Sequence, residues 1–409
     1  MRVLMLSELY PPIIGGLEQH VCNLARALTH RGHTVSVATM RVGERPRTSL
    51  DGDVRVHSLS GTVQRTPRAF VDEARPYAPP MPDPGLVRDL TRVIARERPD
   101  IVHAHNWLIH SFLPLKQASG ARLVLSLHDY SLVCAKKSLL FKEEPCSGPG
   151  FRKCLGCASD HYGTGRGVAI TLANWAMNAP EQRLVDMFVP VSAAVAEGND
   201  LAARGLPFQV IPNFVPDDVA AEQPAPPALI ASLPEEPFLL FVGVLSRYKG
   251  VHVLLDAYAR LLAPPPLVLI GPYGPDMPSQ LPAGVMVLRD WPHEAVMEAF
   301  RRSMIALIPS IYPDACPTVA MEAMATGTPV IASSIGGLPE IIEDGRTGIL
   351  VPPSDAAALA RALALLIGDD RLRAGMTEAG VEGVQSFFAS SIAGRIEEVY
   401  GRLLSDRVP

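Results

Sequence analysis

One segment of the 409-residue chain carries two acidic residues whose types and spacing are suited to binding a sugar and a ribose. The segment reads PSIYPDACPTVAMEAMATGTPVIAS, with Asp314 and Glu322 eight positions apart. A helix is predicted to begin near Pro317 and Thr318, where the first backbone N–H groups have no partner within the helix and can receive an anion. Each carboxylate can accept hydrogen bonds from both hydroxyls of a diol. The alternative is that the two acids cap one helix, which would explain Asp314 more readily than Glu322.

Two glycine turns provide candidate phosphate sites. In FVGVLSRYKG, a predicted strand and a glycine turn are followed by Arg247 and Lys249, just ahead of a helix that begins near Val251. Two cations beside a helix N-terminus are suited to a diphosphate. Gly15 and Gly16 lie between the first strand and the first helix, where bare backbone N–H groups can also approach a phosphate. The alternatives are a solvated loop and an ordinary tight turn.

The elements that must position these residues alternate between strand and helix. A helix is predicted from Leu86 to Arg98, stopped by Pro99. Such alternation predicts α/β folding, with parallel sheets covered on both faces and ligands at the carboxyl ends of the strands. The predicted strands are VLML, TVSVAT, IVHAH, RLVLSLHD, VPVS and QVIPN in the first half, and FLLFVG, PLVLIG, VMVL, IALIPS and PVIAS in the second.

Composition predicts two domains. The stretch between Val215 and Pro237 is rich in Pro, Ala and acids, so we expect an N-terminal domain over 1–215, a second over 216–370, and helices over 371–409 that pack back on the first. The net charge is −5, with 24 basic and 19 acidic residues up to position 215 and 13 basic and 23 acidic residues after it. The basic residues are not clustered among aromatic residues, so nucleic acid is not expected as a partner.

The order of motifs along the chain resembles one enzyme family. GG-x-x-x-x-V near the start, HD at positions 128 and 129, VG-x-L-x-x-x-KG, and the D-x7-E segment followed by EAMATGTPVIAS and GG-x-x-E are similar to the retaining glycosyltransferases of family 4. The resemblance covers essentially the whole chain. It implies the GT-B fold, in which two doubly wound, Rossmann-like domains face a cleft. The N-terminal domain would bind the acceptor and the C-terminal domain the nucleotide-sugar.

The resemblance also implies roles for matching positions. His128, Lys249 and Asp314 would act on the reacting sugar and its leaving group. The backbone of residues 290–292 would hold the nucleobase. The donor would be bound by Gly15, Gly16, Arg247, Lys249, Asp314, Thr318, Val319 and Glu322, with Glu322 on the ribose.

This chain departs from the family pattern at two positions. Val244 stands where the family usually has Arg, and Asp314 stands where it usually has Glu. Because of the first departure, either Arg247 replaces that cation at the diphosphate or the phosphate site is weaker. The second shortens the reach to the sugar by one methylene.

The implied reaction moves a hexose from a UDP-, GDP- or ADP-sugar to a hydroxyl of a glycan, lipid-linked or small-molecule acceptor, as in polysaccharide synthesis. The family is thought to react by front-face substitution, and Lys249 can stabilise the leaving diphosphate without a catalytic metal. The alternatives are a GT-B nucleotide-sugar epimerase or phosphorylase, and a protein that binds a nucleotide-sugar without chemistry. The first strand is not followed by G-x-G-x-x-G, which disfavours a dinucleotide oxidoreductase.

A cysteine-rich insertion follows HDY. Cys134, Cys146, Cys154 and Cys157 include one Cys-x-x-Cys pair, and a cytoplasmic chain is not expected to keep them as stable disulfides. The natural hypothesis is a structural zinc with four thiolate ligands, although one close pair is a less diagnostic spacing than two. Free reduced thiols and a redox-sensitive disulfide are the alternatives.

Location and acceptor binding are predicted from the remaining features. The short apolar run at the N-terminus is not typical of a secretory signal, and no stretch is long and apolar enough to span a membrane, so a cytoplasmic protein is expected. The long proline-rich segment 61–85 is a candidate acceptor loop. Arg88, Arg92 and Arg96 lie on one helix face and suggest peripheral contact with an anionic membrane, the alternative being a solvated face.

Overall fold

The computed structural model describes residues 1–13, 15–65, 75–142, 144–274, 276–278 and 280–405. The chain folds into two compact units. The first consists of Met1–Pro212 together with the segment that begins at Ala389, and the second consists of Asn213–Phe388. The C-terminal segment predicted as 371–409 is therefore divided between the units at residue 389.

The first unit is built on a seven-stranded sheet, and a two-stranded hairpin lies apart from it. Its strands are β1 (Arg2–Ser7), β2 (Thr34–Met40), β3 (Thr48–Asp51), β4 (Val54–Leu59), β5 (Ile101–Ala104), β6 (Arg122–Leu127), β7 (Leu140–Phe141), β8 (Glu144–Pro145) and β9 (Met187–Pro190). Its helices up to Pro212 are α1 (Gly16–His30), α2 (Pro84–Glu97), α3 (Ile109–Phe112), α4 (Lys116–Ser119), α5 (Phe151–Tyr162), α6 (Thr164–Leu184) and α7 (Ala193–Gly198).

The large sheet of the first unit has the order β3-β4-β2-β1-β5-β6-β9, and only the β3–β4 pair is antiparallel. The central strand β1 is apolar and fully buried from Val3 to Leu6, as expected for a parallel strand covered on both faces. The strand order reverses between β1 and β5. The loops that follow these two strands therefore flank the topological switch point, where ligands bind in such sheets.

One predicted strand of the first unit is wrong. Residues 209–213, QVIPN, form no regular strand, although the N–H groups of Gln209 and Ile211 donate to the carbonyls of Phe188 and Pro190 at 3.0 and 3.1 Å. Pro207 precedes this stretch and Pro212 lies within it, and both lack the N–H that a ladder requires. The β3–β4 hairpin was not predicted.

The second unit is built on a parallel sheet with the order β12-β11-β10-β13-β14-β15. Its strands are β10 (Leu239–Val242), β11 (Leu267–Ile270), β12 (Val285–Leu288), β13 (Ile305–Ile308), β14 (Val330–Ser333) and β15 (Gly348–Val351). Its helices are α8 (Pro227–Ile230), α9 (Val251–Tyr258), α10 (His293–Arg302), α11 (Thr318–Ala325), α12 (Leu338–Ile341), α13 (Ala356–Gly368) and α14 (Asp370–Gly383). The strand order reverses between β10 and β13.

The last helix, α15 (Ala389–Ser405), belongs to the first unit and packs against α1. Ile392, Ile396 and Tyr400 are buried there. The Tyr400 hydroxyl lies 2.6 Å from Nδ1 of His103, a residue of the central strand β5. The C-terminal helix thus completes the core of the N-terminal unit.

Candidate functional site

The loops after β10 and β13 lie at the switch point of the second sheet and carry the strongest predicted residues. Lys249 Nζ lies 2.5 Å from Asp314 Oδ2 and 3.3 Å from the Tyr312 hydroxyl. Burial lowers the pKa of Lys249, but the Asp314 carboxylate and Tyr312 outweigh it, and the net pKa lies above the ordinary value of lysine. Lys249 is therefore a fixed cation at neutral pH.

Backbone contacts hold the two loops together. The N–H of Ile311 donates to the carbonyl of Tyr248 at 3.0 Å. Gly250 has a φ of +78°, and a Cβ there would lie 1.8 Å from the carbonyl oxygen of Pro309. Only glycine permits this approach, which brings the loop of Lys249 onto the end of β13.

A third loop supports Asp314 from the other side. The N–H of Gly337 donates to the Asp314 carbonyl at 2.8 Å. Gly336 has a φ of +61°, and a Cβ there would lie 2.2 Å from the same carbonyl oxygen. Gly336 and Gly337 are the two glycines of the GG-x-x-E motif. The motif therefore fixes the backbone conformation around Asp314.

Glu322 lies on α11, and its side chain is mostly buried. His293, at the start of α10, points Nε2 at Glu322 Oε1 over 3.3 Å. The hydrogen bond to Glu322 raises the pKa of His293, against the opposing effect of burial. Thr318 and Val319 are the first two residues of α11, whose N-terminus has no side-chain cap among the described residues. Its N–H groups can therefore serve a ligand.

Arg247 and Asp290 lie at the surface. The side chain of Arg247 is exposed, while its backbone N–H donates to Asp276 at 2.7 Å. Val244 is half-buried in the turn after β10. Asp290 has a left-handed φ of +57° and follows β12 at the edge of the sheet.

The glycine turn of the first unit differs from a bare phosphate site. Gly16 begins α1, and the space where its Cβ would lie is open. Glu18, in the first turn of the same helix, is buried and pairs with Arg75 at 2.8 Å. A Cβ on Gly15 would lie 2.2 Å from this carboxylate. A phosphate at the turn would thus lie beside a carboxylate whose charge Arg75 offsets.

Three histidines meet in the first unit. His20 lies on α1, His105 directly follows β5 and His128 directly follows β6. One ring nitrogen from each lies within 4.8 Å of those of the other two, so the group has the geometry to hold a metal ion. Nδ1 of His105 lies 3.1 Å from Nε2 of His128. Burial, reinforced by neighbouring imidazoles, lowers the pKa of His20 and His105 well below the ordinary value, which favours neutral rings.

Sequence reasoning predicted His128 and missed its two partners. His105 carried a usable signal, because it is polar and stands at the carboxyl end of a buried strand beside the switch point. His20 carried none, since a histidine on an amphipathic helix is ordinary. Behind the trio, His103 bonds Ser126 at 2.8 Å and Tyr400, and burial lowers its pKa to about 3.

The four predicted zinc ligands are half-buried and unpaired as disulfides. In the described part of the chain, the histidine trio is the one group in which three potential metal-ligand atoms lie within 4.8 Å of one another. No three of the four cysteine sulfurs are therefore that close together. Cys157 nevertheless interacts with Cys146, Cys154 and Cys134.

The remaining predictions concern the surface. Residues 66–74 of the predicted acceptor loop lie outside the described residues. Arg92 pairs with Asp89 at 2.8 Å, and Arg88 and Arg96 each lie within 3.6 Å of an acidic neighbour. Every helix in the described part of the chain is too short or too polar to cross a bilayer.

Comparison with known families identifies the chain. The model of Glycosyltransferase Family 4 matches residues 14–219, and the model of Glycosyl transferases group 1 matches residues 230–382. The chain belongs to glycosyltransferase family 4. Its two matched regions correspond to the two units of the structure.

Its relatives include glycosyltransferases with different acceptors in their names. It is 36% identical over 176 residues to D-inositol 3-phosphate glycosyltransferase of Corynebacterium efficiens, an alignment that covers 39% of this chain and 41% of that one. It is 28% identical over 408 residues to glycogen synthase of Mycobacterium tuberculosis, covering 90% and 86%. The match thus spans less than half of the first relative and most of the second.

Solved structures show the GT-B fold. Sucrose-phosphate synthase of Thermosynechococcus elongatus superposes with a TM-score of 0.74 at 22% identity, covering 99% of both chains. The Anabaena protein HepE in complex with UDP-glucose has a TM-score of 0.65 at 16% identity, covering 98% of this chain and 99% of that one. At these sequence identities, the structural similarity is evidence for the fold alone.

Proposed function

We propose that this family 4 member transfers a hexose from a nucleotide-sugar to a hydroxyl group of an acceptor, with retention of the anomeric configuration. The observation that carries the proposal is the pair of Lys249 and Asp314 at the switch point between β10 and β13. A cation and a carboxylate at this point, beside an open helix N-terminus, match the charges of a diphosphate and the hydroxyls of a sugar.

The second unit is proposed to hold the donor. Lys249, with Arg247, would neutralise the diphosphate, and the N–H groups of Thr318 and Val319 would add hydrogen bonds to it. Glu322 would accept both hydroxyls of the ribose. Asp314 would then exchange part of its contact with Lys249 for hydroxyls of the transferred sugar. HepE was solved with UDP-glucose, and starch synthase IV of Arabidopsis thaliana with ADP, which makes UDP- and ADP-sugars the first donors to test.

The chemistry requires charge stabilisation and positioning. The bond from the anomeric carbon to the diphosphate oxygen breaks, and the acceptor oxygen bonds that carbon on the same face. The acceptor proton passes to the departing diphosphate, whose negative charge Lys249 stabilises. A fixed cation can do the work that a divalent metal does in other transferases, so we propose that the reaction needs no metal.

The first unit is proposed to hold the acceptor. His128 would contact the reacting sugar, with its ring orientation set by His105. The glycine turn at Gly15 and Gly16 would serve the same reaction. Two names among the relatives, D-inositol 3-phosphate glycosyltransferase and glycogen synthase, supply an inositol phosphate and an α-glucan as acceptor probes. Contact of α2 with an anionic membrane stays a prediction.

A donor and acceptor screen tests the proposal. Thermal shift with UDP-glucose, ADP-glucose and GDP-mannose should reveal one donor that raises the melting temperature, since a ligand that binds the native state stabilises it. NMR should then detect an α-linked product with inositol 3-phosphate or glycogen, in the presence of EDTA. Donor consumption with inorganic phosphate alone would instead support a phosphorylase, an altered sugar still attached to its nucleotide would support an epimerase, and binding without turnover would support a non-catalytic protein.

A further inference from the structure

The insertion between β6 and β9 builds a small substructure of its own around the four cysteines. Cys134 lies in a tight turn, in which the N–H of Lys137 donates to the Cys134 carbonyl at 2.9 Å. The hairpin β7–β8 follows and ends at Cys146. Cys154 and Cys157 then lie on α5 three positions apart, on one face of the helix. A turn, a hairpin and a helix thus each contribute thiols to one region.

Hydrogen bonds with the backbone hold three of the sulfurs. The N–H of Gly150 donates to Sγ of Cys154 at 3.3 Å. The thiols of Cys146 and Cys157 donate to the carbonyls of Gly148 and Leu140 at 3.4 and 3.6 Å. Hydrogen bonds from N–H groups stabilise a negatively charged sulfur and orient it as a metal ligand.

Cys157 interacts with each of the other three cysteines. The Lys136 side chain forms a hydrogen bond with Cys157. A zinc ion with four thiolates carries a net charge of −2, which a neighbouring ammonium group offsets.

The ends of the insertion are fixed to neighbouring helices, but the β7–β8 hairpin buries little apolar surface. α6 anchors the start of the insertion, because Asn174 and Asn178 donate to the carbonyls of Ser131 and Leu132. α5 packs closely on α6 at Gly167. The two-residue strands of the hairpin, in contrast, are half-buried or exposed. Such a short hairpin needs a cross-link to be stable.

We propose that Cys134, Cys146, Cys154 and Cys157 bind one zinc ion as a tetrathiolate that fixes the β7–β8 hairpin to α5. Each thiol loses its proton to solvent on binding, and four sulfurs at about 2.3 Å from zinc replace the present, wider spacing. The four ligands leave no open position, so the zinc is structural and is independent of the proposed transfer reaction.

Metal analysis of the full chain tests the site. Protein purified without chelator should contain about one zinc per chain. Cys154→Ser/Cys157→Ser should lower this at least tenfold, whereas Cys22→Ser, which removes a buried cysteine outside the insertion, should retain it. His105→Asn should also retain it. Zinc that survives the double cysteine change and is lost in His105→Asn would assign the metal to the histidine trio and overturn the proposal.

Cobalt substitution provides a readout that needs no variant. Co²⁺ bound by thiolates gives an intense sulfur-to-metal charge-transfer band, which a site of imidazoles lacks. We expect this band in the wild-type chain after exchange, together with protection of four thiols from a thiol reagent. Less than about a tenth of an equivalent of zinc in the purified chain, with four thiols reacting freely and no band after cobalt addition, overturns the proposal.

Discussion

At the scale of single residues, Lys249 and Asp314 form an ion pair that is also the centre of the proposed donor site. Both side chains are largely buried and have lost most of their contact with water. Each charge is therefore stabilised mainly by the other. A donor diphosphate would bring charge of the same sign as Asp314 next to Lys249. Binding therefore requires a carboxylate that can turn toward sugar hydroxyls, and the shorter Asp has less freedom to do so than the Glu usual in the family.

Removing the cation tests this role. Lys249→Ala should lower the transfer rate about a hundredfold, equivalent to about 3 kcal/mol of transition-state stabilisation, because the departing diphosphate loses its closest fixed charge. Steady-state kinetics measure the loss, and Lys249→Arg should restore part of it. Arg361→Ala, at an exposed position on α13, is the control and should leave the rate unchanged. A Lys249→Ala enzyme with full activity would remove the diphosphate assignment.

The contact between His293 and Glu322 predicts a pH dependence. The folded-state pKa of His293 is raised above its ordinary 6.5. Its contribution to stability is therefore complete below about pH 6.5 and is lost as the pH rises through the folded pKa. Because His293 is more than half exposed, the contribution should be about 0.5 kcal/mol at most.

NMR titration of the His293 ring tests the cause of this shift. In Glu322→Gln the pKa of His293 should return toward 6.5, since the carboxylate that favours the protonated ring is gone. His30, on α1 in the other unit, is an internal reference that should not change. An unaltered His293 titration in the variant would contradict the assigned contact.

At the scale of elements, the loops that follow the strands are shaped by glycines at sites of close backbone approach. Gly336 and Gly345 both have a positive φ, at +61° and +75°. Only Gly336 is crowded, because a Cβ there would meet the Asp314 carbonyl oxygen at 2.2 Å, whereas at Gly345 the same space is open. An alanine at Gly345 would introduce backbone strain alone, whereas an alanine at Gly336 would also displace the Asp314 loop.

Substituting alanine at each position measures that difference. Both changes should cost about 1 kcal/mol of unfolding free energy through the left-handed backbone. Gly336→Ala should cost about 2 kcal/mol more and lower the transfer rate at least tenfold, because the Asp314 carbonyl must move. Urea unfolding and kinetics on both variants provide the comparison. Equal effects of the two substitutions would show that Gly336 has no special role.

At the scale of the whole molecule, the last helix of the chain is part of the first unit. α15 buries five large side chains there: Ile392, Ile396, Val399, Tyr400 and Leu403. Each buried apolar side chain contributes roughly 1.5–3 kcal/mol, so their sum is comparable to the total stability of a typical domain. Arg31 and His33, at the end of α1, both contact Glu397.

Deleting the chain from Ala389 onward should therefore unfold the first unit and spare the second. Hydrogen exchange should show lost protection in α1 and β5 and retained protection in β10 and β13. Tyr400→Phe is the mild counterpart, expected to cost about 1–2 kcal/mol because His103 loses a buried hydrogen-bond partner. Full protection of α1 in the truncated protein would contradict this account.

The sequence by itself determined the parts of this protein that depend on local pattern. The alternation of short apolar runs and amphipathic helices predicted both parallel sheets, because each pattern is set by the period of its own element. Lys249, Asp314 and Glu322 were predicted because each lies at a strand end or on the helix that follows. The pairing of Lys249 with Asp314 was not predicted, since it depends on β10 and β13 being neighbours.

Only the tertiary structure decided which distant residues meet. His20, His105 and His128 lie on three separate elements, and they converge because β1, β5 and β6 are adjacent in a sheet order that no local pattern specifies. α15 reads as an ordinary amphipathic helix, and its docking in the N-terminal unit follows from the apolar surface that α1 leaves uncovered. Local periodicity selects the elements, whereas burial of their remaining apolar surfaces selects their neighbours.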